Sequence, residues 1–203
     1  MTRQEYFCER DPRAFPLWQK AVIGIAGAGG LGSNIAMLLA RAGIGKLIIC
    51  DFDLVSISNL NRQAFNLDQV GLPKVQALEQ NIRKVNPYIE LETHLIRLDE
   101  KSIPQLYHSV DIMIEAFDTA AAKAMLIESF SRHFPDCELI CASGLAGYGK
   151  SAEIRIVQSG NLFIVGDQSS QLLPGIAPIS TRMMIVAAMQ ANLALERIVW
   201  KNK

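Results

Sequence analysis

The chain has 203 residues, half of them hydrophobic and a fifth charged, with 20 basic residues against 20 acidic ones. That length and balance fit one domain spanning residues 1–203, and they give no electrostatic case for binding nucleic acid or an anionic membrane. No run of consecutive apolar residues reaches the ~20 needed to cross a bilayer, and residues 1–11 lack the apolar core of a leader peptide, so a cytoplasmic location is expected.

In chain order, residues 1–18 read as an N-terminal arm outside the sheet, interrupted by Pro12 and Pro16. Residues 21–26 form an apolar strand, and residues 32–42 a helix that stops at Gly43, a favoured stop signal. A second strand covers 46–51. The polar stretch 56–66 fits no strand. A helix opens near Pro73, a residue type suited to the first helical position, and ends before Pro87. Strands follow at 90–96, 111–116 and 138–142, with helices at 103–108 and 120–133 between them. Beyond Gly144 the pattern changes: residues 153–157 alternate and 162–165 are apolar, which reads as an antiparallel hairpin. Residues 168–178 read as a loop, and 179–200 as a long helix, apolar over most of its circumference. The alternation predicts an α/β fold with a doubly wound, mostly parallel, Rossmann-like sheet, helices on both faces and an antiparallel C-terminal hairpin. Ligands of such sheets sit at the C-terminal strand ends, where Gly27, Asp51, Asp118 and Gly144 all fall.

The chemistry begins at Gly27-Ala28-Gly29-Gly30-Leu31-Gly32, between the first strand and the first long helix. Gly27 allows a tight turn, Gly29 and Gly30 let a phosphate or ribose approach the backbone, and Gly32 lets the helix pack close. The helix N-terminus then offers N–H groups and a positive dipole end. Asp51 closes the second strand 24 residues after Gly27, the place of an acid that accepts hydrogen bonds from a nucleotide ribose. Arg62 and Lys74 follow within the next stretch. A dinucleotide site has no need of them beside the ribose acid, whereas a triphosphate does. Lys74 also opposes the dipole of the helix it starts, a poor choice for stability alone. Asp118, just past the fourth strand, reads as a Mg²⁺ ligand, with helix N-capping as its alternative.

These residues carry a resemblance. Gly27 to Gly32, Asp51-Phe52-Asp53, Ser58-Asn59-Leu60-Asn61-Arg62-Gln63, Pro73-Lys74 and Asp118 occur in the order found in the ThiF/MoeB/HesA family of ubiquitin-activating-enzyme-like adenylyltransferases, and the chain looks most like the compact ThiF type of thiamine biosynthesis. The resemblance implies that ATP adenylylates the C-terminal glycine carboxylate of a small ubiquitin-fold sulfur carrier protein ending in Gly-Gly, releasing pyrophosphate. It implies that Asp51, with Asp53 beside it, serves the ribose; that Asn59, Arg62 and Lys74 hold the phosphates; that Asp118 holds Mg²⁺; and that an arginine finger comes from the arm, for which Arg10 is the choice among Arg3, Arg10 and Arg13. It also implies a homodimer. The alternatives are an NAD-dependent oxidoreductase, a binding partner without activity, or a relative activating another carboxylate, such as a molybdopterin carrier, a peptide or a tRNA-linked amino acid.

Three features depart from larger relatives or compete with this reading. The cysteines Cys8, Cys50, Cys137 and Cys141 form no CxxC pair, and four strand residues between the last two span ~13 Å; no zinc is expected. Residues 166–180 contain no cysteine for a covalent step. Gly144 to Ser151 matches a P-loop letter by letter, but the strand pattern that follows denies it the helix such a loop requires. His94, His108 and His133 read as packing or surface residues. The apolar residues of the last helix (Met183, Ile185, Val186, Met189, Leu193, Leu195, Ile198 and Trp200) exceed one stripe of about 100°, which points to a symmetric partner.

Overall fold

The computed structural model describes residues 2–171 and 178–201. The elements in chain order are α1 (Arg3–Tyr6), α2 (Phe15–Trp18), β1 (Val22–Ala26), α3 (Gly32–Ala42), β2 (Lys46–Cys50), α4 (Lys74–Val85), β3 (Glu90–His94), α5 (Ser102–Leu106), β4 (Ile112–Glu115), α6 (Ala120–His133), β5 (Glu138–Ala142), β6 (Arg155–Ser159), β7 (Leu162–Gly166) and α7 (Ser180–Lys201). The strands form one sheet in the order β3-β2-β1-β4-β5-β7-β6. Strand order reverses at β1, whose neighbours are β2 and β4, and this opens a crevice at the carboxyl ends of those strands.

Side-chain alternation along the strands builds a three-layer core. Ile23, Ile25, Leu47, Ile49, Ile112 and Ile114 face α3, α4 and α7, while Ile48, Met113, Leu139 and Cys141 face α5 and α6. Gly24 belongs to the second face. A methyl group there would lie 2.7 Å from the Met113 sulfur and 2.8 Å from Tyr107, so glycine lets the buried Tyr107 ring lie across β1 and its O–H donate to the Ile25 carbonyl.

The hairpin expectation needs one correction. Only β6 is antiparallel; β7 runs parallel to β5 and so continues the main sheet. Pro73 stands at the N-cap of α4, one position before the first helical residue. The expected loop 168–178 lies partly outside the described residues. The arm is not detached: Phe7 is buried, it packs against Phe15 and Tyr88, and the Tyr6 hydroxyl donates to the Val85 carbonyl.

The long helix α7 changes two expectations. By length and composition it is apolar enough to cross a membrane, which a search for uninterrupted apolar runs overlooks. In this fold it packs on α3 and over β4, β5 and β7, and its Arg182 and Gln190 are fully buried. The same packing covers part of the apolar surface within the chain: Met183, Val186, Leu193 and Ile198 are buried, Met189 and Leu195 partly so, while Ile185 and Trp200 stay exposed. The chain's own α3 and sheet therefore account for the buried part of that face.

The turn after β1 and the start of α3 approach each other with no room for a side chain. A methyl on Gly32 would sit 1.8 Å from the Gly27 carbonyl oxygen. Gly32→Ala is expected to lower the unfolding free energy by about 3 kcal/mol, because a collision with backbone cannot be relieved by a rotamer change; urea denaturation measures it, and a loss under about 1 kcal/mol would show that the turn shifts freely.

Candidate functional site

The glycine turn forms as its residues predict. Gly27 has φ 101° and its N–H donates to the Cys50 carbonyl at 2.8 Å, joining the ends of β1 and β2. Ala28 N–H donates to Asp51 Oδ2 at 2.6 Å, so the carboxylate at the end of β2 fixes the turn. The two middle glycines differ. At Gly29 the nearest atom to an added methyl is Gln63 Nε2 at 3.9 Å, leaving open approach. At Gly30 the methyl would meet Met183 Cε at 3.2 Å; here the missing side chain makes room for α7 rather than for a ligand. Of the first N–H groups of α3, that of Ser33 donates to the Gly29 carbonyl at 3.1 Å; the positive dipole end of the helix lies beside the turn.

Asp51, Asp53 and Lys74 form one linked group. Asp51 Oδ1 accepts the Asp53 N–H at 2.8 Å, Asp53 Oδ2 pairs with Lys74 Nζ at 2.7 Å, and the Lys74 N–H donates to the Asp53 carbonyl. Lys74 is only 6% exposed. Burial pushes the Asp51 carboxyl above its ordinary value, and the Lys74 charge and two N–H donors offset this only in part. A carboxylate has about four acceptor positions; two are taken by backbone, which leaves room for hydroxyl donors. The Asp53 pair explains how a cation is tolerated at the start of α4.

The 56–66 segment is held against the glycine turn by two side chains that sequence reasoning passed over. Ser33 Oγ donates to the Gly29 carbonyl at 2.6 Å and accepts the Ala64 N–H at 3.0 Å. Asn34 Nδ2 donates to the carbonyls of Gly30 and Arg62, at 2.6 and 2.9 Å. Both residues sit in the first turn of α3, where their short polar side chains reach back to the turn; that position was the available signal. Arg62 is half-buried, its guanidinium donating to the Ser58 carbonyl and Asn61 Oδ1. Asn59 holds the same segment by accepting the Ser56 N–H. Gln63 is buried beside Gly29, and its Oε1 has no hydrogen-bond partner.

On the other side of the turn, a methyl at Gly27 would lie 2.8 Å from the Ala116 carbonyl, so the exit of β4 borders the crevice. Asp118 lies two residues further and is exposed. The capping alternative for it is overturned: Thr119 is the N-cap of α6 and accepts the Ala122 N–H. Beneath this exit lies a pair with no sequence forecast. Glu115 is fully buried and accepts Lys123 Nζ on both oxygens, at 2.9 and 2.8 Å, and the Phe117 N–H at 2.6 Å. Burial raises the Glu115 carboxyl and Lys123 counteracts it.

Several expected participants lie elsewhere. Arg10 bonds the Arg41 carbonyl at the far end of α3, about 15 Å along the helix from the glycine turn, and its guanidinium rests on the Tyr6 and Phe7 rings. It is not part of this chain's own site. The P-loop lookalike leads into a single 3-10 turn, Ser151–Glu153, and then β6, so no helix N-terminus faces it. Cys50 and Cys137 lie in apolar surroundings that push each thiol up to about 11, whereas Cys8 is exposed rather than buried. Among the described residues, no three His, Cys, Asp or Glu side chains cluster as a metal site.

The ThiF family is matched over residues 14–203. The chain is 37% identical over 103 residues to the molybdopterin-synthase adenylyltransferase of Haemophilus influenzae, covering 50% of this chain and 42% of that protein. It is 50% identical over 72 residues to ubiquitin-like modifier-activating enzyme 5 of Branchiostoma floridae, covering 36% of this chain and 18% of the relative. The chain thus spans less than half the length of these curated relatives. The Escherichia coli tRNA N6-threonylcarbamoyladenosine dehydratase TcdA, solved in complex with ATP, has the same fold: TM-score 0.86, 24% identity, 98% of this chain and 93% of that one.

Lys123→Met leaves a buried carboxylate without its cation, which is expected to cost about 3–5 kcal/mol of stability at neutral pH. Because the folded-state value of Glu115 is raised above its ordinary 4.5, the protonated form is favoured by folding: stability recovers below pH 4.5 and is lost as pH rises through the folded value. Urea titrations of the variant at pH 5 and pH 8 measure this, and equal deficits at both would contradict it.

Proposed function

We propose a function from one premise: the chain belongs to the ThiF family. The protein is an adenylyltransferase that uses ATP to activate the C-terminal carboxylate of a small ubiquitin-fold sulfur carrier protein ending in Gly-Gly, with release of pyrophosphate. The observation that carries this reading is the buried Lys74, held by Asp53 next to the nucleotide acid Asp51, with the backbone of Arg62 fastened to the first turn of α3 through Asn34. A buried lysine beside the ribose acid, with an arginine on the adjoining segment, is chemistry for a triphosphate; an NAD-dependent oxidoreductase has no use for them. TcdA, of the same fold, has been solved with ATP.

Each residue then has a role. Asp51 accepts the ribose hydroxyls, and the open backbone at Gly29 and the N-terminus of α3 receive phosphate oxygens. Arg62 and Lys74 neutralise charge at the α-phosphate and on the departing pyrophosphate, with Asn59 and Gln63 lining the same segment. The attacking group is already a carboxylate, so catalysis needs alignment and charge compensation rather than a general base. Mg²⁺ suits the exposed Asp118, since it is commonly held by one or two carboxylates together with substrate phosphates; when bound, it would further screen phosphate charge. The carrier we favour is that of thiamine thiazole formation, and the molybdopterin-type carrier suggested by the Haemophilus relative is the principal competitor. A homodimer is supported by Met184 and Ile185, which stay exposed on α7; Arg10 could then serve only a second copy's site.

The expected result is Mg-ATP binding by calorimetry and carrier-dependent ATP–pyrophosphate exchange, with Arg62→Ala and Lys74→Ala each lowering exchange about 100-fold. Tight NAD binding without ATP binding would refute the reading. Testing both carrier types in the same assay decides between them, and light scattering decides the oligomeric state.

A further inference from the structure

Asp167 and Arg182 form a buried ion pair that the reading above does not use. Arg182, in the first turn of α7, is 2% exposed. Its guanidinium donates to the Asp167 carboxylate and the Gly149 carbonyl, and reaches the Gly144 carbonyl and Ser170 Oγ at 3.5 Å. Burial alone would raise the Asp167 carboxyl. The Ser170 hydroxyl and N–H, the Ser169 N–H and the Arg182 charge reverse this and hold it well below the usual carboxylate range. A methyl at Gly144 would lie 2.0 Å from Asp167 Oδ1, so the 144–149 loop sits directly on the pair.

One guanidinium therefore grips both ends of this loop. Between them Gly147 bridges to Pro178, and Tyr148 stands 83% exposed. On the same helical turn, the next residue, Met183, backs Gly30 of the nucleotide-facing turn. Two consecutive residues of α7 thus touch two different walls of the carboxyl end of the sheet.

We propose that Arg182 is a positioning residue for both walls: it holds Tyr148 out as a contact for the extended tail of the acceptor polypeptide, and it keeps Met183 seated behind the nucleotide-binding turn. The inference rests on the adenylyltransferase reading. A tail ending in glycines offers main chain and almost no side chains. A tyrosine on a fixed loop supplies contact area to such a chain at small entropic cost. The loop leaves β5, whose neighbour β4 delivers Asp118, so a tail lying along it ends near the phosphate residues.

The test measures ATP affinity by calorimetry, and KM for a ubiquitin-fold carrier protein ending in Gly-Gly by ATP–pyrophosphate exchange. It uses the wild-type chain, Tyr148→Ala, Arg182→Met and Arg182→Lys. Absence of exchange in the wild type, with no ATP bound, overturns the adenylyltransferase reading itself. With exchange present, Tyr148→Ala is expected to raise the carrier KM about tenfold while ATP affinity stays within about twofold, the size of effect one aromatic anchor carries. Arg182→Met raises both the carrier KM and the ATP Kd, and Arg182→Lys restores part of each. An unchanged carrier KM in Tyr148→Ala overturns the docking role. An Arg182→Met protein that melts earlier but keeps both constants is a purely structural variant and overturns the positioning role. Should Arg182→Met not fold, Met183→Ala tests the nucleotide half, with a raised ATP Kd expected at unchanged carrier KM and an unchanged Kd overturning it.

Discussion

The site depends on how closely α3 can approach the end of β1. Gly32 stands where any side chain would run into the Gly27 carbonyl. This contact sets where the helix begins, and hence where its positive dipole end is aimed. A helix displaced by the width of a methyl group would also lose the reach of Ser33 and Asn34. Those two side chains turn a helix start into an anchor: they fasten the 56–66 segment, and Arg62 with it, to the carbonyls of Gly29 and Gly30. The charge chemistry is therefore a consequence of a steric fit between two glycines.

From that anchor the polar groups form a continuous series. Asp51 ties the turn to β2, Asp53 ties Asp51 to Lys74, and Lys74 opens α4. Each member is fixed by the one before it, so the Lys74 ammonium is held in one place by the fold itself. A cation held in this way is one that, on the proposed function, would meet developing charge without reorganising. Lys74 buried beside an acid would be an uncertain contributor to stability in isolation; in this series its position has a use that stability does not explain.

The parts legible from sequence are those whose signal is local. Strand and helix periodicity, the Gly43 stop and the Gly27–Gly32 turn need only neighbours in the chain, whereas the Arg62 guanidinium, expected beside Asp51 and Lys74, bonds Ser58 and Asn61 of its own segment. What escaped reading depends on distance. Glu115 and Lys123 lie on different elements, and Asp167 and Arg182 are 15 residues apart on either side of a loop, so their pairing follows from packing rather than from spacing. Thr119 displaced Asp118 as the cap of α6 because the helix begins one residue later than the carboxylate allows. Arg10 was chosen by type, and the structure shows that its position is set by the Tyr6 and Phe7 rings and the Arg41 carbonyl. Apolar breadth on α7 was visible, but whether it faced another copy or the chain's own α3 could not be decided without the sheet beneath it.

The indole of Trp18, in the arm, donates to the Leu195 carbonyl of α7 at 3.1 Å, across 177 residues of sequence. During synthesis on the ribosome this bond cannot close until the final helix has emerged, although the arm is made first. The central parallel strands and α3 can assemble while the arm still waits for its partner. The two extremities of the described chain then stitch each other down in a late step. Removing the Trp18 indole would cost α7 this tether while leaving its seat on α3 and the sheet intact, so the bond fastens the arm more than it fastens the helix.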